Sequence, residues 1–161
     1  MIYANGDRHE GFWQEGTHAD GKFKFTYAAD DTIFEGTIED AKKKHGLEKY
    51  KHGGHYEGSF QEDEYHGYGD FYWPGGRSYR GLWKCGKMDG HGECRYEDEA
   101  VYKGEWKDGM KEGSGVMTWA DGRQYDGEWV GDKQHGVAVL VSGLGKSVHA
   151  EYESGHKVRY F

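Results

Sequence analysis

Residues 102–124 read YKGEWKDGMKEGSGVMTWADGRQ, and a fresh copy of the same pattern opens at once with YDGEW at residues 125–129. The preceding copy opens with YRGLW at residues 79–83. The central glycines Gly58, Gly81, Gly104 and Gly127 follow one another at intervals of 23 residues, and Ala150 holds the same place 23 residues on in a decayed copy. Upstream, Gly11 and Gly36 hold it with spacings of 25 and 22. A fixed period of roughly twenty to fifty residues marks a repeat architecture and outranks other local signals.

Within one repeat the periodicity is that of a strand. Tyr102, Gly104 and Trp106 alternate with Lys103 and Glu105, which gives one aromatic and one charged face. Gly113, Gly115, Met117 and Trp119 share a face in the second half. The segment 107–112 reads as a polar, glycine-bearing turn, and residues 120–124 as another. Each repeat is therefore a β-hairpin tied to the next by a second tight turn, and the chain an antiparallel meander. Interior glycines weaken a strand unless they make room for something. Here Gly81 and Gly92 leave space for rings such as Tyr79 and Trp83 to lie flat over the backbone.

Composition taken alone points elsewhere. Leu, Ile, Val and Phe make up only 22 of 161 residues and the net charge is -8, a balance typical of disorder. Against that, aromatics reach 16 %, and the 28 glycines fall largely on the repeat period. The longest apolar run, residues 137–141, is too short to span a bilayer, and no charged-then-apolar leader opens the sequence. Cys85 and Cys94 are not placed opposite one another in a hairpin, which predicts free thiols in a reducing compartment and hence the cytoplasm. The acidic balance and the lack of a basic stripe argue against nucleic acid.

Along the chain, residues 1–8 read as the second strand of a truncated repeat with Asn5-Gly6 as its turn. Repeats then start near 9, 34, 56, 79, 102 and 125, with a degenerate copy near 149, so the domain expectation is one array over residues 1–161. The His9 copy has His for Tyr and carries Phe23 where the second strand's second glycine belongs. The copy at Phe34 has Ile38 for Trp and a basic turn, Lys42-Lys43-Lys44. Residues 137–141 replace the glycine strand of the last regular copy by an apolar one, a candidate for end-to-end pairing of two chains.

The run Tyr79-x-Gly81-x-Trp83-x-x-Gly86-x-x-x-Gly90-x-Gly92 resembles the MORN (membrane occupation and recognition nexus) repeat at every signature position. The copy at Tyr102 matches as fully, through Gly104, Trp106, Gly109, Gly113 and Gly115. The copy at Tyr56 has Phe60 for Trp and Asp63 for the turn glycine, and the copy at Tyr125 loses its last glycine to Ala138. The resemblance implies an all-β, elongated, single-layer antiparallel hairpin meander with an aromatic groove on one face. It further implies a non-enzymatic adaptor or scaffold at the cytoskeleton, at cilia or at the inner membrane surface. Three uses of such arrays follow from it: a helical or extended protein segment in the groove, a homodimer, or anionic phospholipid binding.

Other motifs carry less. Gly143-Leu-Gly145-Lys146-Ser147 resembles the tail of a phosphate-binding loop, but Leu140 stands where that loop needs its first glycine, so it reads as a hairpin turn. His45, His66 and His135 each precede a repeat glycine instead of clustering at ligand spacing, so neither metal nor cofactor is expected. The acidic triplets 62–64 and 97–99 fall in turns, and catalytic carboxylates need a concave, partly desolvated site. An enzyme is not expected. A single sheet with no covering layer should leave its aromatic face open, and fourteen strands at about 4.8 Å would extend it over roughly 65 Å. Open apolar strips mark interaction sites, and Tyr and Trp dominate binding energy. The predicted partner-binding residues are therefore Tyr56, Tyr79, Trp83, Tyr102, Trp106, Tyr125 and Trp129, weighed against a purely structural role as the stacking core. The competing lipid reading rests on Lys42, Lys43 and Lys44, set against the solvated turn that short charge runs usually form.

Overall fold

The computed structural model describes residues 1–11, 13–14, 17–18 and 21–161. It is all-β, and fourteen antiparallel strands form one open sheet whose order follows the chain. In chain order the strands are β1 (Arg8–Glu10), β2 (Trp13–Gln14), β3 (Thr17–His18), β4 (Gly21–Thr26), β5 (Ile33–Glu39), β6 (Lys42–Lys49), β7 (His55–Gln61) and β8 (Glu64–Tyr72). They continue as β9 (Ser78–Lys84), β10 (Lys87–Arg95), β11 (Val101–Lys107), β12 (Met110–Thr118), β13 (Gln124–Val130), β14 (Lys133–Val141), β15 (Ser147–Glu153) and β16 (His156–Tyr160). Strands β2 and β3 pair only with each other. The first copy is therefore interrupted: β1 ends at Glu10 and pairs with β4, His9 opposite Phe25. Contacts divide the chain into one unit of Met1–Gly75 with Trp83–Gly86 and another of Gly76–Leu82 with Lys87–Phe161.

The hairpin turns are tighter than the sequence suggested. Asp108 and Gly109 both have positive φ, as do Cys85 and Gly86, Glu62 and Asp63, and Asp40 and Ala41. Such two-residue loops match the right-handed twist of the strands they join. In the last regular copy the two turn residues are exchanged, Gly131 preceding Asp132. The polar segment expected as a turn over residues 107–112 thus contributes Met110, Lys111 and Glu112 to β12. The extra strand length is absorbed by a bulge between Gly104 and Trp106, where Gly113 adopts a φ of 65°. The basic segment is corrected in the same way: the turn is Asp40-Ala41, and Lys42, Lys43 and Lys44 are the first residues of β6. The apolar run at residues 137–141 belongs to β14, which pairs with β13 and β15 and so presents no edge for another chain.

Tyrosine rings on a glycine rung hold the repeats together. In the second unit Gly92, Gly104, Gly115 and Gly127 lie opposite one another across four strands. The Tyr102 ring lies over Gly104 and Gly115 so closely that a Cβ at Gly115 would fall 2.3 Å from its oxygen. Its hydroxyl donates to the carbonyl of Glu105 at 3.0 Å. Tyr56 sits in the same way over Gly58 and Gly69, and Tyr79 over Gly81 and Gly92. The tryptophans do not lie flat, as the sequence suggested for Trp83. Trp106 stands edge-on between Tyr102 (5.1 Å, 89°) and Tyr79 (5.5 Å, 86°), and its indole N–H donates to Gly92 O. Trp129 repeats this between Tyr125 and Tyr102 and donates to Gly115 O, and Trp83 meets Tyr56 at 88° and donates to Gly69 O. Each T-shaped pair contributes about 0.5–1.5 kcal/mol beyond its buried area. Flat and upright rings alternate and cover each other, so the aromatic layer is buried without a second sheet.

Gly104→Ala would place its Cβ 2.5 Å from the Cα of Gly115, a backbone atom that cannot move aside. The substitution should cost about 1–3 kcal/mol in urea unfolding, against about 0.5 kcal/mol or less for Ser114→Ala on the exposed face. Burial raises the pKa of Tyr56, Tyr102 and, to about 12, Tyr125. The folded chain therefore keeps protons that the unfolded chain gives up from about pH 10. This contribution is complete below pH 10 and is lost as pH climbs toward the folded values. Stability should fall steeply above pH 10, and absorbance at about 295 nm should show a phenolate class that appears only with unfolding.

Candidate functional site

All seven rings predicted as partner contacts are core. Tyr56, Tyr79, Tyr102 and Tyr125 are at most 1 % exposed, and Trp83, Trp106 and Trp129 at most 5 %. The expectation that a lone sheet leaves this layer open is corrected by the ring-on-glycine packing. The same face carries a second, half-buried set of side chains.

One such set sits where each second strand ends. Tyr27, Tyr50, Trp73, Tyr96 and Trp119 recur at 23-residue spacing, and all are half-buried. Tyr27, Tyr50, Tyr96 and Trp119 each donate a backbone N–H across the following turn, for example Tyr96 to Ala100 O and Trp119 to Arg123 O. Asp98 and Asp121 pin those two turns by accepting the backbone N–H of Ala100 and Arg123. Within each unit the rings thus stand at equivalent places beside the turns, Tyr27, Tyr50 and Trp73 in the first and Tyr96 and Trp119 in the second. The sequence signal for these rings is their 23-residue period, masked by their place next to turns.

The second set comes from the bulges, which turn the second residue of β6, β8, β12 and β14 toward the aromatic layer. Lys43 lies opposite Ile38, Tyr65 opposite Phe60, Lys111 opposite Trp106 and Gln134 opposite Trp129. Tyr65 fills its place by stacking on Tyr56 at 4.0 Å. In two other repeats a lysine does so. Lys43 Nζ is 5.2 Å from the Tyr27 and Phe34 rings and 5.5 Å from Phe60. Lys111 Nζ lies 4.6 Å from Trp129, 5.7 Å from Tyr102 and 5.8 Å from Tyr96. The three rings around each ammonium occupy the same repeat positions, a cation–π frame built twice.

The two frames differ electrostatically. Lys43 is ion-paired with Glu48, whose buried carboxylate also accepts from Tyr50 Oη at 2.8 Å. Burial alone would lower the Lys43 pKa, but Glu48 outweighs it and the net shift is upward. At Lys111 burial wins and the pKa is lowered, with Asp132 opposing and Arg77 reinforcing the shift. Lys42 pairs with Glu62 and Lys44 with Glu39, so the expected basic cluster is divided between two faces and neutralised within the chain. Both cysteines are free, Cys85 exposed and Cys94 buried, with Arg77 Nε donating to Cys94 Sγ at 3.4 Å. Among the described residues no group of three or more His, Cys, Asp or Glu is placed to hold a metal ion.

Comparison with known proteins agrees with the fold. No curated protein sequence matches the chain. Among solved structures, the chain is similar to the SAS-4 (dCPAP) TCP domain of Drosophila melanogaster in complex with a proline-rich motif of Ana2 (dSTIL). The TM-score is 0.59 at 15 % identity, over 94 % of this chain and 81 % of that one. A structure of the TCP10c domain of Drosophila melanogaster Sas-4 gives 0.53 at 15 % identity, over 94 % and 90 %. At such identity the likeness is one of fold. The MORN repeat family matches residues 56–76, 79–101, 102–122 and 125–143, four tandem copies spanning just over half of the chain. With the tyrosine–glycine–aromatic signature of those copies seen as the packing unit of the sheet, the chain belongs to the MORN-repeat family.

Proposed function

We propose that this chain is a non-enzymatic protein-binding scaffold whose aromatic face takes an extended segment of a partner, laid across the strands along the half-buried row. The observation that carries this reading is the row itself. Within a unit, successive rings stand two strands apart, about 9.6 Å, and one turn of polyproline II helix spans about 9.3 Å, so each turn of such a segment meets one ring. Aromatic rows of this kind bind proline-rich segments because the ligand is already extended and loses little entropy. The SAS-4 domain of similar fold is itself bound to a proline-rich motif, which supports the same use here. The seven core rings then act indirectly, by holding the row in place. The lipid reading loses its basis in Lys42, Lys43 and Lys44, whose charges are already paired.

The test uses a variant of the row, Tyr96→Ser with Trp119→Ser, and a control on the charged face, Asp126→Ala. A photo-crosslinker placed beside Trp119 should capture a partner from cell extract through a proline-containing segment. The double variant should fold with nearly unchanged far-ultraviolet circular dichroism and lose about tenfold or more in affinity, with the control unaffected. Undiminished capture by the folded double variant, or crosslinks confined to the charged face, would refute the assignment.

A further inference from the structure

The two lysine frames raise a question that the segment-binding reading leaves open: why one carries its own counter-ion and the other does not. Glu48 lies opposite Phe34, and the equivalent rung in the other frame pairs Tyr102 with Met117. Where the first frame has a buried carboxylate, the second has a thioether. No carboxylate among the described residues forms an ion pair with Lys111 Nζ. The Asp132 carboxylate instead accepts the backbone N–H of Lys111 at 2.9 Å, and Glu112 accepts that of Gly131. A second cation stands close by: the Arg77 guanidinium lies 5.6 Å over the Tyr96 ring that Lys111 also meets. Nor is the Lys111 ammonium sealed in. The Lys111 side chain is only half-buried within its aromatic frame.

A half-buried ammonium among three rings, with the Asp132 carboxylate near but not ion-paired to it, keeps a positive charge open to a partner on a chain whose net charge is -8. Burial has removed part of its hydration, so an anion that reaches it meets a less screened charge than at the surface. The frame at Lys43 shows which anion fits, because there a carboxylate fills the place from within. We propose that Lys111, framed by Tyr96, Tyr102 and Trp129 with Arg77 alongside, pairs with an Asp or Glu carboxylate of the bound segment, which takes the place that Glu48 holds at Lys43. The proposal rests on the segment-binding reading and adds to it: beside the turn that contacts Tyr96 and Trp119, the segment carries an acidic residue. Lys43, already paired, takes no part in this selection.

The experiment compares two synthetic probes, a decaproline peptide with one central Glu and the same peptide with Gln. Each is titrated into the full chain while indole fluorescence is followed. The Glu peptide should bind about tenfold more tightly, the usual size for a charge-assisted contact in a partly desolvated site. Lys111→Met should abolish the preference while the Gln peptide binds as before. Met117→Glu, which restores an internal counter-ion, should abolish it too and should fold, since the Lys43 frame already accommodates that arrangement. Lys43→Met should leave the preference intact. Equal binding of both peptides to the native chain, or a preference that survives Lys111→Met, overturns the carboxylate assignment and leaves the segment reading standing. Binding of neither peptide overturns both.

Discussion

The structure depends on one contact, a tyrosine ring laid flat on two glycines that face each other across neighbouring strands. Nothing but glycine fits beneath Tyr102 at Gly104 without moving backbone, which is why the glycine period is also the structural period. The ring is fixed from both ends: its hydroxyl donates to a strand carbonyl three residues on, and an upright tryptophan closes each side. Each tryptophan in turn donates to a carbonyl on the glycine rung of the preceding copy. The interaction is thus shared between neighbours, so copies are stable in series and not alone, as expected when a repeat cannot bury its own apolar face.

This packing also decides which side chains are free to act. It consumes the most conspicuous aromatics of the motif and leaves the half-buried row beside the turns, together with the residue that the bulge turns inward. The inward place of β6, β8, β12 and β14 is chemically variable, a lysine with a counter-ion, a tyrosine, a lysine without one and a glutamine, whereas the layer beneath it is nearly constant. A constant frame holding variable residues lets one fold present different chemistry from copy to copy, and specificity then resides in a few positions.

Much of this was legible in the sequence, and what was not has physical causes. Alternation about Tyr102 and Trp106 revealed strands, and the 23-residue period revealed hairpins in series. The strand bounds were misjudged because polarity was taken to mean a turn. Lys111 and Glu112 are polar yet belong to β12, since the actual loop is the two-residue Asp108-Gly109 and the bulge at Gly113 takes up the slack. The same misjudgement put Lys42, Lys43 and Lys44 in solvent, although their alternation along a strand sends Lys43 inward to Glu48. The seven rings were recognised as important, but a one-layer sheet suggested exposure. Whether rings cover each other depends on their tilt, and no spacing in the sequence carries tilt.

The central claim is that flat and upright rings bury the motif aromatics and leave the turn-flanking row accessible. It is tested most directly by oxidative footprinting of the native chain, with each tryptophan followed by mass spectrometry. The account predicts rapid oxidation of Trp73 and Trp119 and protection of Trp83, Trp106 and Trp129 until the chain unfolds. Comparable oxidation of Trp106 or Trp129 in the folded protein would contradict it and return the motif rings to the surface as direct contacts.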